Sequence, residues 1–388
     1  MNSIERVWSA LNREPVDTVP LHALAIEANI TDLVLNKPTK SPFDIIDEMA
    51  EQYPENWLEK INEIITEIEI NVFSRAIQTA SILGFDTCGI GYIPFKFESK
   101  EQMTDIFGRI YKIINENGHI FPYYIDGMIK TQEDWERFPK PDFKEIYSRA
   151  KKLFKTILRR AKKLENPDFC IMAQDDYCST FPPVWQGMGM TAFAKALKKN
   201  PTLIEERFEQ TTEFVIGLFK TYAELGAKIF FEGADIAFKS GPLINPIYIE
   251  KYVKPCMKRV TEAVHNWGGK IIFHSDGDIT SLLDFIVESG FDALHCLEPP
   301  YVDLKLVKKK VGKKLCLLGN IDTSYILVNG TKKEVEDAVK YAIKTLGPGG
   351  GFMLSPSNSH PAMSYERIKW MIEATKKYGK YPLSFSNF

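Results

Sequence analysis

Short apolar runs alternate with helical patterns over most of the chain. The runs lack the polar alternation of a half-exposed strand, which is typical of strands buried on both faces of a parallel sheet. Each is followed by apolar positions at three- and four-residue spacing, which predicts a helix. The strands predicted in this part are residues 169–173, 228–232, 270–274, 292–296, 315–319 and 352–354.

Two earlier candidates bring the number of predicted strands to eight. They are residues 17–22, which Pro20 marks as irregular, and residues 84–88. Eight strands that alternate with helices predict an α/β fold of the TIM (β/α)8 barrel type. A doubly wound sheet alternates in the same way and is the second interpretation.

Two segments fall outside the repeated pattern. The pattern over about residues 1–82 predicts an N-terminal helical extension. Ser3 is the expected N-cap of its first helix. About residues 95–128 alternate apolar and polar positions around a turn-forming segment at 115–118, which predicts a β-hairpin insertion. Because no linker-like segment interrupts the pattern, residues 1–388 are predicted to form one domain.

The amino-acid composition and net charge of the chain disfavour several classes of protein. With 44% apolar and 26% charged residues, the chain reads as an ordinary globular protein, not as a disordered, collagen-like or multi-span membrane protein. A formal net charge of -2 disfavours nucleic-acid binding. Six cysteines without a CxxC pair disfavour a disulfide framework or a zinc ribbon. The first residues lack a secretory signal pattern, so a cytoplasmic location is expected.

The sharpest chemical pattern follows the fifth predicted strand. His274 and Asp276 are two residues apart, so on extended backbone both side chains could reach one ion. Imidazole and carboxylate suit zinc or another divalent metal, although Asp276 could instead only orient the histidine. Glu232 and Asp235 are further candidate metal ligands. The alternatives are a buried acid paired with a lysine for Glu232 and a helix cap for Asp235.

The remaining strand ends supply candidates for the barrel mouth, where TIM-barrel chemistry takes place. Asp322 joins His274, Asp276 and Glu232 as a candidate catalytic residue. Tyr177 and Trp185 are candidate aromatic walls, with ordinary packing as the alternative. Cys296, on a predicted strand, is expected to be inert core. The other candidate substrate contacts are His22, Asp175, Asn320, Ser357, Asn358 and His360.

Several ordered motifs resemble the uroporphyrinogen decarboxylase superfamily over about residues 160–380. They are residues 232–246, Tyr252, Lys254 with Pro255, and residues 273–278, 318–322 and 349–352, with a looser match at 13–20. Ordered motifs together are far more specific than any one alone. The resemblance implies a TIM barrel, in agreement with the strand pattern.

Within that superfamily, the residues disfavour the haem-pathway decarboxylases. Those enzymes carry an Arg-Gln-Ala-Gly-Arg segment after the first strand that binds substrate carboxylates. Here the corresponding residues 22–26 read His-Ala-Leu-Ala-Ile, with no arginine to pair with an acidic tetrapyrrole.

The resemblance to the cobamide-dependent methyltransferases is closer but also incomplete. The enzymes that methylate coenzyme M bind zinc through His-x-Cys-Gly and a later cysteine. Asp276 replaces the first cysteine, and the second falls near Ser357 or Asn358. A site of His274 and Asp276, with Glu232 as a third candidate, is harder than a thiolate site and suits an oxygen ligand.

The same superfamily includes the methyltransferases of corrinoid-dependent O-demethylase systems. The resemblance therefore implies transfer of a methyl group from a methoxylated aromatic compound to Co(I) of a corrinoid, with zinc as the expected metal. A metal or proton donor at the ether oxygen would stabilise the charge that develops there. Because the chain has no Asp-x-His-x-x-Gly segment, the corrinoid is expected on a separate partner protein.

Two other functions stay open from the sequence. One is methyl transfer from a methylcorrinoid to a thiol or a folate; Cys178 would be the nearest thiol ligand for a metal in the thiol version. The other is a degenerate barrel that binds a corrinoid protein or a small molecule without catalysis. A homodimer is possible in either case.

Overall fold

Eight parallel strands form the central barrel. The computed structural model describes residues 1–92, 94–116, 119–175 and 178–384. Each strand pairs with the next along the chain, and a parallel bridge between Leu21 and Leu354 joins the last strand to the first. The TIM-barrel prediction is confirmed. The strands are β1 (His22–Ala23), β2 (Thr87–Ile90), β3 (Cys170–Gln174), β4 (Ile229–Gly233), β5 (Lys270–His274), β6 (Ala293–His295), β7 (Cys316–Ile321) and β8 (Phe352–Pro356).

Helices cover the barrel between consecutive strands. The long helix Trp57–Leu83 precedes β2, and Pro201–Ala223 precedes β4. The other helices and helical turns are Ala28–Leu35, Phe43–Ile45, Ile46–Gln52, Gln132–Arg137, Phe143–Ala161, Pro182–Met188, Met190–Lys199, Pro246–Tyr248, Ile249–Val253, Lys254–Asn266, Thr280–Leu282, Leu283–Glu288, Leu304–Val311, Ile326–Asn329, Lys332–Leu346 and Tyr365–Tyr378. None of the helices in the described ranges is long and apolar enough to cross a bilayer.

Successive strand residues face opposite sides of the barrel wall. Phe231 and Ile272 belong to the cluster that fills the barrel interior, whereas their neighbours Phe230 and Phe273 pack among the helices outside. Both faces are apolar, which explains why the strands show no polar alternation. Because successive side chains point to opposite sides of the wall, only every second residue at a strand end can reach the barrel interior.

The first helix, Ser3–Leu11, adds Val7 and Leu11 to the interior cluster. Its N-cap is Asn2, whose side chain accepts a hydrogen bond from the Glu5 amide, and not Ser3 as the sequence predicted. Ser3 lies inside the helix and donates to Asp86 at 2.9 Å. Either residue type can cap a helix, so the sequence could not separate two neighbouring candidates.

The insertion is larger than the predicted hairpin. It is an antiparallel four-stranded sheet in sequential order, formed by Phe95–Phe97, Gln102–Asp105, Arg109–Glu116 and His119–Gly127. The last two strands form the predicted hairpin; turn residues 117–118 lie outside the described ranges.

One side of the inserted sheet packs on helix Trp57–Leu83, where Asn62 exchanges two hydrogen bonds with the Phe97 backbone. The end of its last strand meets helix Pro182–Met188 at very close range. A Cβ atom on Gly127 would lie 2.2 Å from the carbonyl carbon of Gly187, so only glycine fits there.

Candidate active site

The candidate site lies where β4, β5 and β6 end. His274 and His295 are register partners at the carboxyl ends of β5 and β6. The His274 ring faces the barrel interior and stacks on Phe231 with 5.5 Å between ring centroids. This is the end of the barrel where TIM-barrel enzymes hold their reactive groups.

Three of the predicted metal ligands converge at this point. His274 Nε2 lies 3.6 Å from Asp235 Oδ1 and 3.8 Å from Asp276 Oδ1, and all three atoms lie within 4.8 Å of one another. Asn358 donates a hydrogen bond of 2.7 Å to Asp276 Oδ2 and so holds that carboxylate. Two carboxylates and an imidazole are a donor set that fits a divalent cation such as zinc. We name Asp235, His274 and Asp276 the oxygen-rich cluster.

A chain of hydrogen-bonded side chains runs from His274 into the barrel. His274 Nδ1 faces His295 Nδ1 at 2.8 Å, and His295 Nε2 faces Ser355 Oγ at 3.2 Å. Burial, together with the neighbouring His274 and His22 rings, lowers the pKa of His295 well below its usual value; a hydrogen bond to the Pro356 backbone opposes this shift. His295 is therefore neutral at physiological pH.

His22 lies deeper than its predicted place at the mouth. Its ring is fully buried and meets His295 edge-on, with 5.5 Å between centroids. Within the described part of the chain, neither ring nitrogen has a hydrogen-bond partner. Burial, with a smaller effect of His274, lowers the pKa of His22 to about 3, so this ring is also neutral.

Cys296 belongs to the site, which the sequence did not indicate. Its thiol donates to Asp276 Oδ1 at 3.3 Å, and burial raises its pKa well above the usual value. With His274 and His295 it forms a second group of potential metal ligands within 4.8 Å, in which all three residues are buried. One feature of the sequence could have indicated this role: Cys296 directly follows His295, the last residue of β6, which is the strand next to β5. Neither potential ligand group found in the described ranges contains Cys178.

Glu232 does not join the oxygen-rich cluster. It alternates with the interior residue Phe231, so its side chain lies on the helix-facing side of β4. There Oε1 accepts hydrogen bonds from the hydroxyl and backbone amide of Thr180. Oε2 has no hydrogen-bond partner in the described ranges. Burial raises the pKa of Glu232 to about 7, against the opposing effect of Thr180.

Because the pKa of Glu232 is raised in the folded protein, this residue lowers the free energy of unfolding as pH rises. Between about pH 4.5 and 7 the unfolded chain releases this proton while the folded chain keeps it, so stability falls as pH rises. We expect Glu232→Gln to remove that fall and, above pH 7, to raise the free energy of unfolding by about 3 kcal/mol. Urea denaturation across this pH range measures the effect.

Glu224→Gln, at an exposed ion pair with Lys151, is the control and should track the unmodified protein. Parallel curves for Glu232→Gln and the unmodified protein would contradict the assignment.

Several other predicted site residues form hydrogen bonds with backbone groups near the strand ends. Asp175 Oδ1 accepts from the Gly233 amide at 3.1 Å, and Asn320 donates to the Leu297 carbonyl at 3.1 Å. Asp322 accepts from the backbone amides of residues 325 and 326, at 2.7 and 2.9 Å, and thus caps the helix Ile326–Asn329. These contacts use Asp322 as a turn and cap residue, and it lies outside both potential ligand groups.

The remaining predicted residues have different surroundings. Ser357 is buried 3.4 Å from the Thr323 hydroxyl, whereas His360 is exposed and accepts from a backbone amide at residue 362. Trp185 packs edge-on against Tyr124 of the insertion, with 5.7 Å between centroids. Its indole nitrogen has no hydrogen-bond partner among the residues described. Tyr177 lies outside the described residues.

The fold and the site define a TIM barrel with a candidate metal centre at the carboxyl ends of its strands. The chain belongs to the uroporphyrinogen decarboxylase (URO-D) family, which matches residues 111–378. The resemblance that the motifs indicated is therefore confirmed at the level of the family.

Curated proteins of Methanosarcina species are similar to part of the chain. Over 195 residues the chain is 24% identical to the methylcobamide:CoM methyltransferase MtaA of Methanosarcina barkeri, a match that covers 49% of this chain and 54% of that protein. It is 26% identical over 155 residues to a methylated-thiol–coenzyme M methyltransferase of Methanosarcina mazei, covering 40% of each chain. The chain thus spans about half the length, or less, of these relatives.

A solved structure supports the fold over nearly the whole chain. A methyltransferase from Methanosarcina mazei superposes with a TM-score of 0.68 at 17% identity, covering 97% of this chain and 99% of that one. At this identity the similarity shows a common fold, including the parts outside the family match.

Proposed function

We propose that this protein is a corrinoid-dependent methyltransferase that takes the methyl group of a methoxylated aromatic compound. The observation that carries the proposal is the oxygen-rich cluster of Asp235, His274 and Asp276 at the barrel mouth. The family match and the methyltransferases among the relatives support the reaction class. The oxygen-rich donor set supports an ether oxygen as the atom to be activated.

Zinc is the metal proposed for this cluster, with Asp235, His274 and Asp276 as its ligands. When bound, it would act as a Lewis acid on the ether oxygen, because phenolate is otherwise a poor leaving group. The chain's own contribution is orientation: Asn358 fixes Asp276, and the buried His295 holds the His274 ring. Such supporting contacts decide how well a metal site is preorganised.

Glu298 is the candidate proton donor for the departing oxygen. Its carboxylate accepts a hydrogen bond of 2.6 Å from the Gly277 amide, directly after Asp276. Burial raises the pKa of Glu298; the Gly277 bond lowers it, and Asp276 raises it further. A carboxyl group that holds its proton closer to neutral pH is better suited to general acid catalysis.

The methyl acceptor is proposed to be Co(I) of a corrinoid on a separate protein. The bond between the methyl carbon and the ether oxygen breaks, a bond from that carbon to cobalt forms with the two electrons of Co(I), and the oxygen takes up a proton. The barrel mouth must then admit both an aromatic substrate and the partner protein. A cytoplasmic location and a homodimer remain part of the proposal.

A second candidate is methyl transfer from a methylcorrinoid to a thiol. Cys296 favours it, because His274, His295 and Cys296 form a nitrogen–sulfur group that is also suited to zinc. Two relatives named for coenzyme M point the same way. Against it, burial disfavours the Cys296 thiolate unless a metal is bound.

The deciding experiment follows methyl transfer in both directions by the absorbance of the corrinoid. Purified protein is incubated with a reduced corrinoid protein and a panel of methoxybenzoates, and separately with its methylated form and coenzyme M or a folate. We expect methylation of cobalt from a methoxybenzoate. Demethylation by coenzyme M would establish the thiol reaction instead. Binding of the corrinoid protein without transfer in either assay would overturn both and support a non-catalytic binding protein.

A further inference from the structure

A short β-hairpin after β4, residues 237–242, lies against the loop that carries Asp276. The Phe238 carbonyl in this hairpin accepts a hydrogen bond of 2.8 Å from the Asp278 amide. Between the two aspartates, Gly277 has a φ of +84°, and a Cβ atom there would lie 2.4 Å from the Phe238 carbonyl oxygen. Only glycine fits this contact, so the hairpin is held directly beside the oxygen-rich cluster.

The turn of this hairpin carries Lys239, an exposed residue that faces an aromatic ring. Its Nζ atom lies 5.5 Å from the centroid of the Tyr301 ring, a distance typical of a cation–π contact. Tyr301 follows β6, and its amide donates a hydrogen bond of 3.0 Å to the carbonyl of Glu298. Lys239 therefore lies where the loops after β4 and β6 meet, on the side of the mouth that holds the candidate proton donor.

The charge of Lys239 is not balanced by an ion pair. Across the described ranges no carboxylate pairs with its ammonium, including that of the nearby Glu298. A cation–π contact at an exposed site is weak and leaves the positive charge available. A divalent cation in the oxygen-rich cluster would balance Asp235 and Asp276, and a protonated Glu298 would be neutral. Lys239 is then a positive charge without a counterion at this edge of the mouth.

We propose that Lys239 forms a subsite for a negatively charged group on the small substrate, a carboxylate or a sulfonate, and that Tyr301 is a positioning residue that holds the ammonium there. The ammonium would pair with the anion through a charge-assisted hydrogen bond. In the proposed reaction, the subsite selects methoxybenzoates over uncharged methoxyphenols. That choice of substrate rests on the proposed function, whereas the anion subsite itself does not.

Two ligands that differ in charge but hardly in shape test the subsite without turnover. Binding of para-methoxybenzoate and of para-methoxybenzamide to the full-length protein is measured by calorimetry, with no corrinoid protein present. We expect the carboxylate to bind about tenfold more tightly than the amide, and this preference to shrink as salt is added. Lys239→Gln should bind both ligands about equally, whereas Lys239→Arg, which keeps the charge, should retain the preference.

Variants of Tyr301 test its positioning role. Tyr301→Leu should weaken the preference for the charged ligand, and Tyr301→Phe, which keeps an aromatic face, should restore it. Lys258→Gln, at an exposed lysine on the helix Lys254–Asn266, is the matched control and should bind both ligands as the unmodified protein does. Thermal melting checks that each variant is folded.

Ethanesulfonate, the anionic part of coenzyme M without its thiol, separates the two sources of the anion. If neither this sulfonate nor para-methoxybenzoate binds in a way that depends on Lys239, the subsite is wrong, whatever the activity. Dependence for the sulfonate alone would keep the subsite and favour the thiol reaction over the proposed one. Dependence for the methoxybenzoate, without methylation of cobalt from it, would also keep the subsite while the proposed function fails.

Discussion

Replacing His274 with alanine is expected to abolish metal binding and lower methyl transfer by at least about 10³-fold. The reason is geometric, because His274 is the residue common to both potential ligand groups in the described part of the chain. Without its imidazole, Asp235 and Asp276 are two like charges with only weak affinity for a divalent ion. Metal content by mass spectrometry and the corrinoid absorbance assay, both on protein purified without chelators, test the two effects separately.

His265→Ala provides the matched control for this substitution. The His265 ring pairs with Asp292 at 2.8 Å and is 40% exposed, away from the interior histidines. Its loss should leave metal content unchanged and activity within about twofold. If His274→Ala retained full metal content and activity, the site would have to lie elsewhere in the barrel. Loss of activity with full metal content would instead make His274 a residue that acts on the substrate.

The barrel could be predicted from the sequence because its strands are buried on both faces. Runs such as residues 270–274 stand out from the helical spacing around them, and their number, eight, favours a barrel over a doubly wound sheet. Strand bounds were less certain, since β7 runs to Ile321, two residues beyond its prediction. In the insertion, the two long strands alternate clearly, whereas Phe95–Phe97 and Gln102–Asp105 are too short to show a period.

The candidate site could be predicted only where local spacing determines it. His274 and Asp276 are two residues apart on one strand end, and the structure places them together. Glu232 was assigned to the same site because a run that is apolar on both faces does not reveal which residues point inward. A shift of one residue moves a side chain to the other face. The contacts of Cys296, His295 and Ser355 join different strands, and no local pattern reports them.

Outside the site, a buried ion network fastens the insertion to the barrel. Asp105 pairs with Arg109, and both side chains are almost fully buried. Arg207, also fully buried, donates to the carbonyl groups of Phe107 and Pro183 and thus joins the inserted sheet to the helices of the barrel. Burial lowers the pKa of Arg207 to about 9, with Asp105 opposing this shift, so the guanidinium is charged at neutral pH.

Asp105→Asn is therefore expected to destabilise the protein by about 3–5 kcal/mol, the cost of leaving a buried charge without its partner. Asparagine removes the negative charge that faces two buried guanidinium groups. It keeps an oxygen that can accept from the amides of Phe107 and Arg109, the bonds that Asp105 Oδ1 makes at 2.9 and 3.0 Å. The measurement is the free energy of unfolding from urea denaturation, monitored by tryptophan fluorescence because the Arg207 guanidinium lies 4.9 Å from the centroid of the Trp135 ring.

Asp126→Asn makes the same chemical change in the same insertion. Asp126 pairs with Lys130, but the two side chains are 54% and 40% exposed, so water solvates both ions when the pair is lost. Its cost should stay below about 1 kcal/mol. Equal costs for the two substitutions would show that burial does not determine the strength of the network. A large loss for Asp105→Asn alone would show that this carboxylate fastens the insertion, and with it the helix that carries Trp185, to the barrel.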